Sequence, residues 1–284
     1  MTVLEAIQKT SGFLERKGVE SPRLHAELLL AHALRLPRMK LYLAFDRALT
    51  EAELDAFREI ARRRGQREPL QHILGTVSFC GLEFAVSRHA LIPRPETEIL
   101  AQMAWELLQQ SPAQSPTALD YGTGTGCLAV TIAVKCPAAT LVACDISPDA
   151  LAQARENAVR HGVAERLRLV EGDGFAALPA EARFDLIVSN PPYIASAEIA
   201  SLQPEVRDHD PRSALDGGED GLDFYRRLAS QAPPFLNPGA QMLVEFGDGQ
   251  APQIEKIFSG ENWVVERVRQ DYSHRDRFLL AKRP

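Results

Sequence analysis

Asn190-Pro191-Pro192-Tyr193 sets two backbone positions that cannot donate a hydrogen bond directly after an asparagine. The apolar run Phe184–Ser189 before it is of strand length and composition. Each proline lacks a backbone N–H and has φ fixed near −65°, and a residue preceding proline is pushed into extended geometry. Asn190 is therefore expected at a strand end, extended, with its side-chain oxygen and nearby carbonyls left as acceptors. That suits a substrate with a planar –NH2 group, either an amide or the exocyclic amine of a base. Tyr193 adds a flat face for a planar group. Asn-Pro-Pro alone would serve equally as a strand terminator, so its meaning depends on its neighbours.

A second candidate is Asp120-Tyr121-Gly122-Thr123-Gly124-Thr125-Gly126-Cys127. Glycines between a strand and a helix let the backbone turn tightly and approach a ligand, and the helix N-terminus adds partial positive charge. The dinucleotide fingerprint is G-x-G-x-x-G. Here the spacing is G-x-G-x-G, which fits a nucleoside-type ligand with no pyrophosphate. Asp145, with Ile146 beside it, follows the next strand, where a carboxylate can accept from both ribose hydroxyls. Gly172-Asp173-Gly174-Phe175 follows the third strand. Asp173 is placed to accept from an adenine amine and Phe175 to lie on the ring, although the same four residues would also make an ordinary turn. Together these tips point to S-adenosylmethionine, with S-adenosylhomocysteine as product, and set Asn190 opposite its methyl group.

The elements that must carry these tips are legible from periodicity. From residue 117 on, strands and helices alternate, the α/β signature. Strands are expected at Thr117–Tyr121, Thr140–Cys144, Leu167–Val170, Phe184–Ser189 and Gln241–Glu245, with a terminal hairpin of Trp263–Val268 and Phe278–Ala281. Helices are expected at about 125–134, 148–161, 222–232 and 250–258, and a long loop at 195–220. Before them, residues 1–70 read as a helical bundle. Thr2–Glu5 and Thr50–Glu53 are capping boxes, and Ser21-Pro22 is an N-cap with proline at N1. Residues 71–88 read as a linking β-hairpin, with β-like runs on either side of Cys80-Gly81. The span 89–284 then forms the main domain, opening on a helix at about 96–109.

Composition limits the classes. The 284 residues carry a net charge of −6, against a bulk polyanion-binding surface. Residues 1–75 hold 13 Lys and Arg against 10 Asp and Glu, a net of +3, which leaves −9 for the remainder. Arg62-Arg63-Arg64 is a favourable helix terminus or a docking patch for an acidic partner. No apolar run reaches membrane-spanning length, and the N-terminus has no signal-peptide pattern. The four cysteines make no C-x-x-C pair and the seven histidines are scattered, so no metal site is expected and the thiols are expected to stay reduced in the cytoplasm.

Several segments, in order, resemble the release-factor glutamine methyltransferases, the PrmC/HemK family. They are Glu68–Gly75, Phe79–Val86, Leu91-Ile92-Pro93-Arg94-Pro95-Glu96-Thr97-Glu98, Leu119–Gly126, Asn190–Ile194 and Pro211–Tyr225. Asn-Pro-Pro-Tyr by itself is shared with amino methyltransferases of adenine, cytosine or guanine. The Ile-Pro-Arg-Pro-Glu-Thr-Glu and Ala-Leu-Asp-Gly-Gly segments are more specific to glutamine. The resemblance implies a Rossmann-like methyltransferase domain with a mostly parallel seven-stranded sheet behind a helical N-terminal domain that docks substrate. It implies methyl transfer from S-adenosylmethionine to the glutamine amide nitrogen in the Gly-Gly-Gln loop of class I peptide chain release factors, by a monomer needing no nucleic acid. Gly122 to Gly126, Asp145, Ile146, Asp173 to Phe175 and Asn190 would then hold the cofactor. Asn190 to Tyr193 would hold the glutamine, with Arg94 and Glu96 shaping the site or forming a structural ion pair. Two features depart from the family pattern: Gly174, where a large residue is common, and His274, where glycine is usual. A ribosomal-protein glutamine or a nucleic-acid amine remains the alternative substrate.

Overall fold

The computed structural model describes residues 1–283. It divides into two compact units, one of residues 1–76 with 203–209, the other of residues 77–202 with the chain from 210 on. The division falls after Thr76, so most of the hairpin read as a linker belongs to the second unit. A short piece of the expected 195–220 loop belongs to the first.

The first unit is helical: α1 (Val3–Arg16), α2 (Pro22–Ala33), α3 (Arg38–Tyr42), α4 (Glu51–Gly65) and α5 (Leu70–Leu74). Both capping boxes form, with Thr2 and Thr50 each accepting from the backbone three residues on while Glu5 and Glu53 reach back. Ser21 does not cap α2 as expected. Its backbone is left-handed (φ 49°) and its side chain makes no cap hydrogen bond. Residues 70–74, read as part of a β run, form α5 instead, because Gly75 closes the turn at φ 76° and only then lets the chain extend. Leu14, Leu29, Leu30, Leu41 and Phe57 fill this unit's core. Glu205, on α9 (Pro204–Arg207), accepts from the buried Arg64 at 2.6 Å and from Arg67 at 2.7 Å. Burial acts to raise the Glu205 pKa, but those hydrogen bonds outweigh it and bring it down to about 2.

The second unit begins with the hairpin β1 (Thr76–Phe79) and β2 (Leu82–Ala85), followed by α6 (Thr97–Gln109). Strands and helices then alternate as β3 (Thr117–Tyr121), α7 (Cys127–Lys135), β4 (Thr140–Asp145), α8 (Pro148–Arg160), β5 (Leu167–Glu171) and β6 (Phe184–Ser189). After α10 (Asp223–Gln231), β7 (Leu236–Glu245) and α11 (Ala251–Gly260), the chain ends in β8 (Val264–Gln270) and β9 (Asp276–Lys282). The seven main strands lie in the order β5-β4-β3-β6-β7-β9-β8. Pairing is parallel through β7, and β9 is antiparallel to both its neighbours.

The short apolar strands expected in sequence are the buried central ones. Along β6, Leu186 and Val188 face one core with α6 and α7, while Ile187 faces the other with α10 and α11, the period-2 alternation of a strand covered on both faces. The hairpin is tied in by Asn157 of α8, whose amide accepts from Ala85 N at 2.8 Å and donates to Ala85 O at 3.0 Å. The chain winds from β3 to β4 and β5 on one side, then returns to lay β6 on the other side of β3. The carboxyl ends of β3 and β6 therefore flank the topological switch point, where open α/β sheets bind ligands.

Candidate active site

A cavity of about 380 Å³ opens at that switch point, within the range of small-molecule sites. The tips of β3, β4, β5 and β6 all contribute to its wall.

At the β3 tip, Gly122 and Thr123 donate their backbone N–H groups to Cys144 O at 2.9 and 3.0 Å, which folds the loop back against β4. Gly124 N instead donates to Asp145 Oδ2 at 2.8 Å, and Ser147 N donates to Asp145 Oδ1 at 2.9 Å. A carboxylate has about four lone-pair sites, so Asp145 is held from behind by two N–H groups and keeps capacity for two further donors. Ser147, not Asp145, caps α8, accepting from Ala150 N. Ile146 lines the cavity and is 63% exposed. Asp120, fully buried beneath the loop, accepts from the Thr123 hydroxyl at 2.6 Å and from Ala129 N at 3.1 Å. Burial dominates and pushes its pKa up to about 7.

Three cofactor expectations are corrected. Gly126 does not line the cavity. Its φ is 79°, and a Cβ there would come within 2.9 Å of the Ala154 Cβ, so this glycine lets α7 start tight against α8. Phe175 is buried between Tyr121 and Phe235, with ring centroids 5.0 and 5.1 Å away, and lies outside the cavity wall. The aromatic groups that do line it are Tyr121 and Phe224. Asp173 lines the cavity as expected, but both its oxygens accept from Arg227 Nη2, at 2.7 and 2.8 Å. Gly174 lines the cavity too, and a Cβ there would come within 2.2 Å of the Tyr121 hydroxyl, so its departure from the family's large residue follows from that tyrosine.

At the β6 tip, Asn190 and Pro192 line the cavity, whereas Pro191 is buried and the Tyr193 ring packs against the core beneath, outside the wall. Tyr193 O accepts from Gln250 Nε2 at 2.9 Å, and burial raises the Tyr193 hydroxyl to about 12. Asn190 Nδ2 donates to Thr97 Oγ1 at 3.0 Å. Thr97, the first residue of α6, is itself buried and lines the same cavity. Arg94 lines the cavity and donates to Asp210 Oδ2 at 2.6 Å, so it both shapes the site and forms an ion pair, while Glu96 is exposed and lies outside the wall.

Sequence reasoning passed over Thr97 and Tyr121, although both fall inside segments it singled out. It also passed over Glu245, a lone carboxylate closing an apolar strand and now 2% exposed, which was itself a signal. The four cysteines are unpaired. No group of three His, Cys, Asp or Glu side chains among the described residues could hold a metal ion. No helix among them is long and apolar enough to cross a membrane.

The donor set fits a nucleoside-bearing ligand: a carboxylate with two free acceptor sites at the β4 tip, close backbone at Gly172 and Gly174, and two aromatic walls. On this sheet, that cavity defines an S-adenosylmethionine-dependent methyltransferase. The model of the methyltransferase small domain matches residues 97–205, and that of the PrmC N-terminal domain matches residues 5–75. A release factor glutamine methyltransferase of Geobacter sulfurreducens is 48% identical over 278 residues, 98% of this chain and 95% of that protein. One of Chlorobaculum tepidum is 45% identical over 284 residues, 98% of this chain and 96% of that protein. The chain belongs to the release factor glutamine methyltransferase family. In fold it is also similar to a methyltransferase of Pyrococcus furiosus, with a TM-score of 0.53 at 20% identity over 72% of this chain and 90% of that one.

Proposed function

We propose that this enzyme methylates the side-chain amide nitrogen of a glutamine presented on a loop of a class I peptide chain release factor, with S-adenosylmethionine as donor. The observation that carries the reading is the state of Asn190. One of its two amide N–H groups is committed to Thr97 behind it, an orientation that keeps Oδ1 available as an acceptor. An acceptor held in this way selects an –NH2 substrate and orients it.

The β3 and β4 tips, with Gly122 to Gly124 and Asp145, would hold S-adenosylmethionine, which would supply an electrophilic methyl group. The glutamine nitrogen is a poor nucleophile because its lone pair is delocalised into the carbonyl. Asn190 Oδ1 and the Pro191 carbonyl would accept its two N–H bonds and hold it in line. Both contacts strengthen as positive charge develops on nitrogen, so they favour the transition state over bound substrate. No strong base is needed beforehand, since the proton can leave to water after transfer. Positioning of this kind can supply roughly 7–11 kcal/mol. Tyr193, whose ring backs the motif rather than the cavity wall, would keep Asn190 and the prolines in register.

The first unit, net +3 over residues 1–75, would dock the acidic surface of the substrate protein. The reading takes the enzyme to act as a monomer on the protein substrate, with no nucleic acid taking part. A substrate of the translation machinery puts the enzyme in the cytoplasm. The test is methyl incorporation from labelled S-adenosylmethionine into purified release factor, compared with ribosomal RNA, DNA and ribosomal protein. Label in the release factor alone is expected. Label in a nucleic acid and not in the release factor would overturn the assignment.

A further inference from the structure

Behind Asn190 lies a buried carboxylate that the reaction as described above does not use. Glu245 ends β7, beside β6, and is 2% exposed. The Thr97 hydroxyl and the Asn190 amide both favour its ionised form, while Oε2 keeps no hydrogen-bond partner. Thr97 Oγ1 already accepts from Asn190 Nδ2 at 3.0 Å, so its single proton is free to point at Glu245. An amide has two N–H groups. One is taken by Thr97, and Glu245, which the Asn190 amide helps to keep ionised, lies on the same buried side.

We infer that Glu245 is a positioning residue for methyl transfer: through Thr97 and directly, it fixes the Asn190 amide with its N–H groups turned inward and makes Oδ1 a stronger acceptor for the substrate –NH2. The inference rests on the proposed function. Its physical basis is cooperativity. An amide that donates to an anion shifts electron density onto its own oxygen, and chains of hydrogen bonds in a low-dielectric interior polarise one another. Without that carboxylate, the buried amide could flip and offer the cavity donors, which repel the N–H groups of an –NH2 substrate.

The surroundings keep the carboxylate ready to act. Desolvation raises its pKa to about 7, opposed by Thr97, by the Arg277 charge and by Asn190, and reinforced by the Glu96 charge. Tyr193 and Tyr225 are the other titratable groups facing it, and Tyr225 donates its hydroxyl to Glu245 O at 2.8 Å. Arg277 is held off by Asp271 and by Phe246 O, at 3.4 and 3.0 Å, so it neutralises Glu245 only at a distance. Near neutral pH the carboxylate can therefore take up or lose its proton, and only the ionised form accepts from both donors at full strength.

The experiment is single-turnover methyl transfer to release factor by wild type, Glu245→Gln, Thr97→Val and Thr97→Ser, at saturating S-adenosylmethionine and across neutral pH, with S-adenosylhomocysteine affinity measured alongside. Glu245→Gln is expected to lower the rate roughly tenfold, the worth of one well-aimed hydrogen bond, with S-adenosylhomocysteine affinity unchanged. Wild type is expected to show an acid limb near pH 7, and Glu245→Gln should abolish it. Thr97→Val should lose a similar factor and Thr97→Ser should regain most of it. Glu245→Gln with a wild-type rate, or with a lower rate but the same acid limb, would overturn the inference while leaving the function intact. Should Glu245→Gln fail to fold, the Thr97→Val and Thr97→Ser pair carries the test, and equal rates for the two would overturn it. A wild type that transfers nothing to release factor would overturn both.

Discussion

At the β4 end of the cavity, Asp145 is fixed by the backbone N–H groups of Gly124 and Ser147. At the β6 end, Asn190 donates to a hydroxyl from α6, with a buried carboxylate of β7 behind them. The first arrangement is built almost entirely from local chain and leaves an anion with spare acceptor capacity, which suits diol recognition. The second is built from three distant side chains and leaves a neutral acceptor whose orientation depends on its support. Holding a cofactor needs a rigid anion. Activating an amide needs an acceptor that strengthens as charge develops. The two ends should therefore fail differently when broken.

The largest effect is expected at the β6 end. Asn190→Ala should lower single-turnover methyl transfer roughly 10²–10³-fold, by analogy with removal of an oxyanion-hole donor, while S-adenosylmethionine affinity by calorimetry stays near wild type. Asp145→Ala should do the reverse. Loss of two hydrogen bonds to a charged group weakens cofactor binding by about 10²-fold or more, and turnover should largely recover once cofactor is saturating. Equal losses of affinity in both variants would erase the distinction between the ends.

A smaller effect separates the ends by pH. Asp120 lies beneath the cofactor end and Glu245 behind the substrate end, and burial raises both to about 7 from ordinary values of 3.8 and 4.5. A carboxyl whose folded-state pKa is raised contributes stability that is complete below its unfolded value and is lost as pH rises through the folded one. The thermal midpoint should thus fall between about pH 4 and pH 7, and Asp120→Asn and Glu245→Gln should each flatten that slope. Scanning calorimetry across that range checks it. Glu205 in the first unit has the opposite sign, since its depressed pKa gives stability that is lost only as pH falls toward 2.

The smallest functional effect is expected at Phe175, which sequence placed against adenine and the structure places in the core. Phe175→Leu should cost about 1 kcal/mol of stability, as a shape change in a packed core, and leave cofactor affinity within about threefold of wild type, a difference well under 1 kcal/mol. A large loss of affinity would return the ring to the cavity.

These outcomes follow how the site was legible. Asp145 and the glycine loop were readable because strand, turn and helix are consecutive and each glycine has a local reason. Even so, only the three-dimensional neighbour Ala154 shows that Gly126 serves helix packing. Asn190 was readable because two prolines fix its geometry from one side. Its supports were not, since Thr97 and Glu245 lie 93 positions before and 55 after it in the chain and meet it only through β-sheet order. Phe175 was misplaced for the same reason. An aromatic residue after a strand tip can turn to either side, and Tyr121 and Phe235 decide which. Residues 70–74 turned helical because the apolar run was too short for periodicity to settle, and Gly75 decided it.

The central claim is that Asn190 presents an acceptor to a glutamine amide. The most direct measurement is fragment mass spectrometry of release factor after incubation with S-adenosylmethionine and either wild type or Asn190→Ala. One added methyl group on the side chain of the Gly-Gly-Gln glutamine is predicted with wild type, and little or none at matched time with the variant. A methyl group on any other residue, or equal methylation by the variant, would contradict the account.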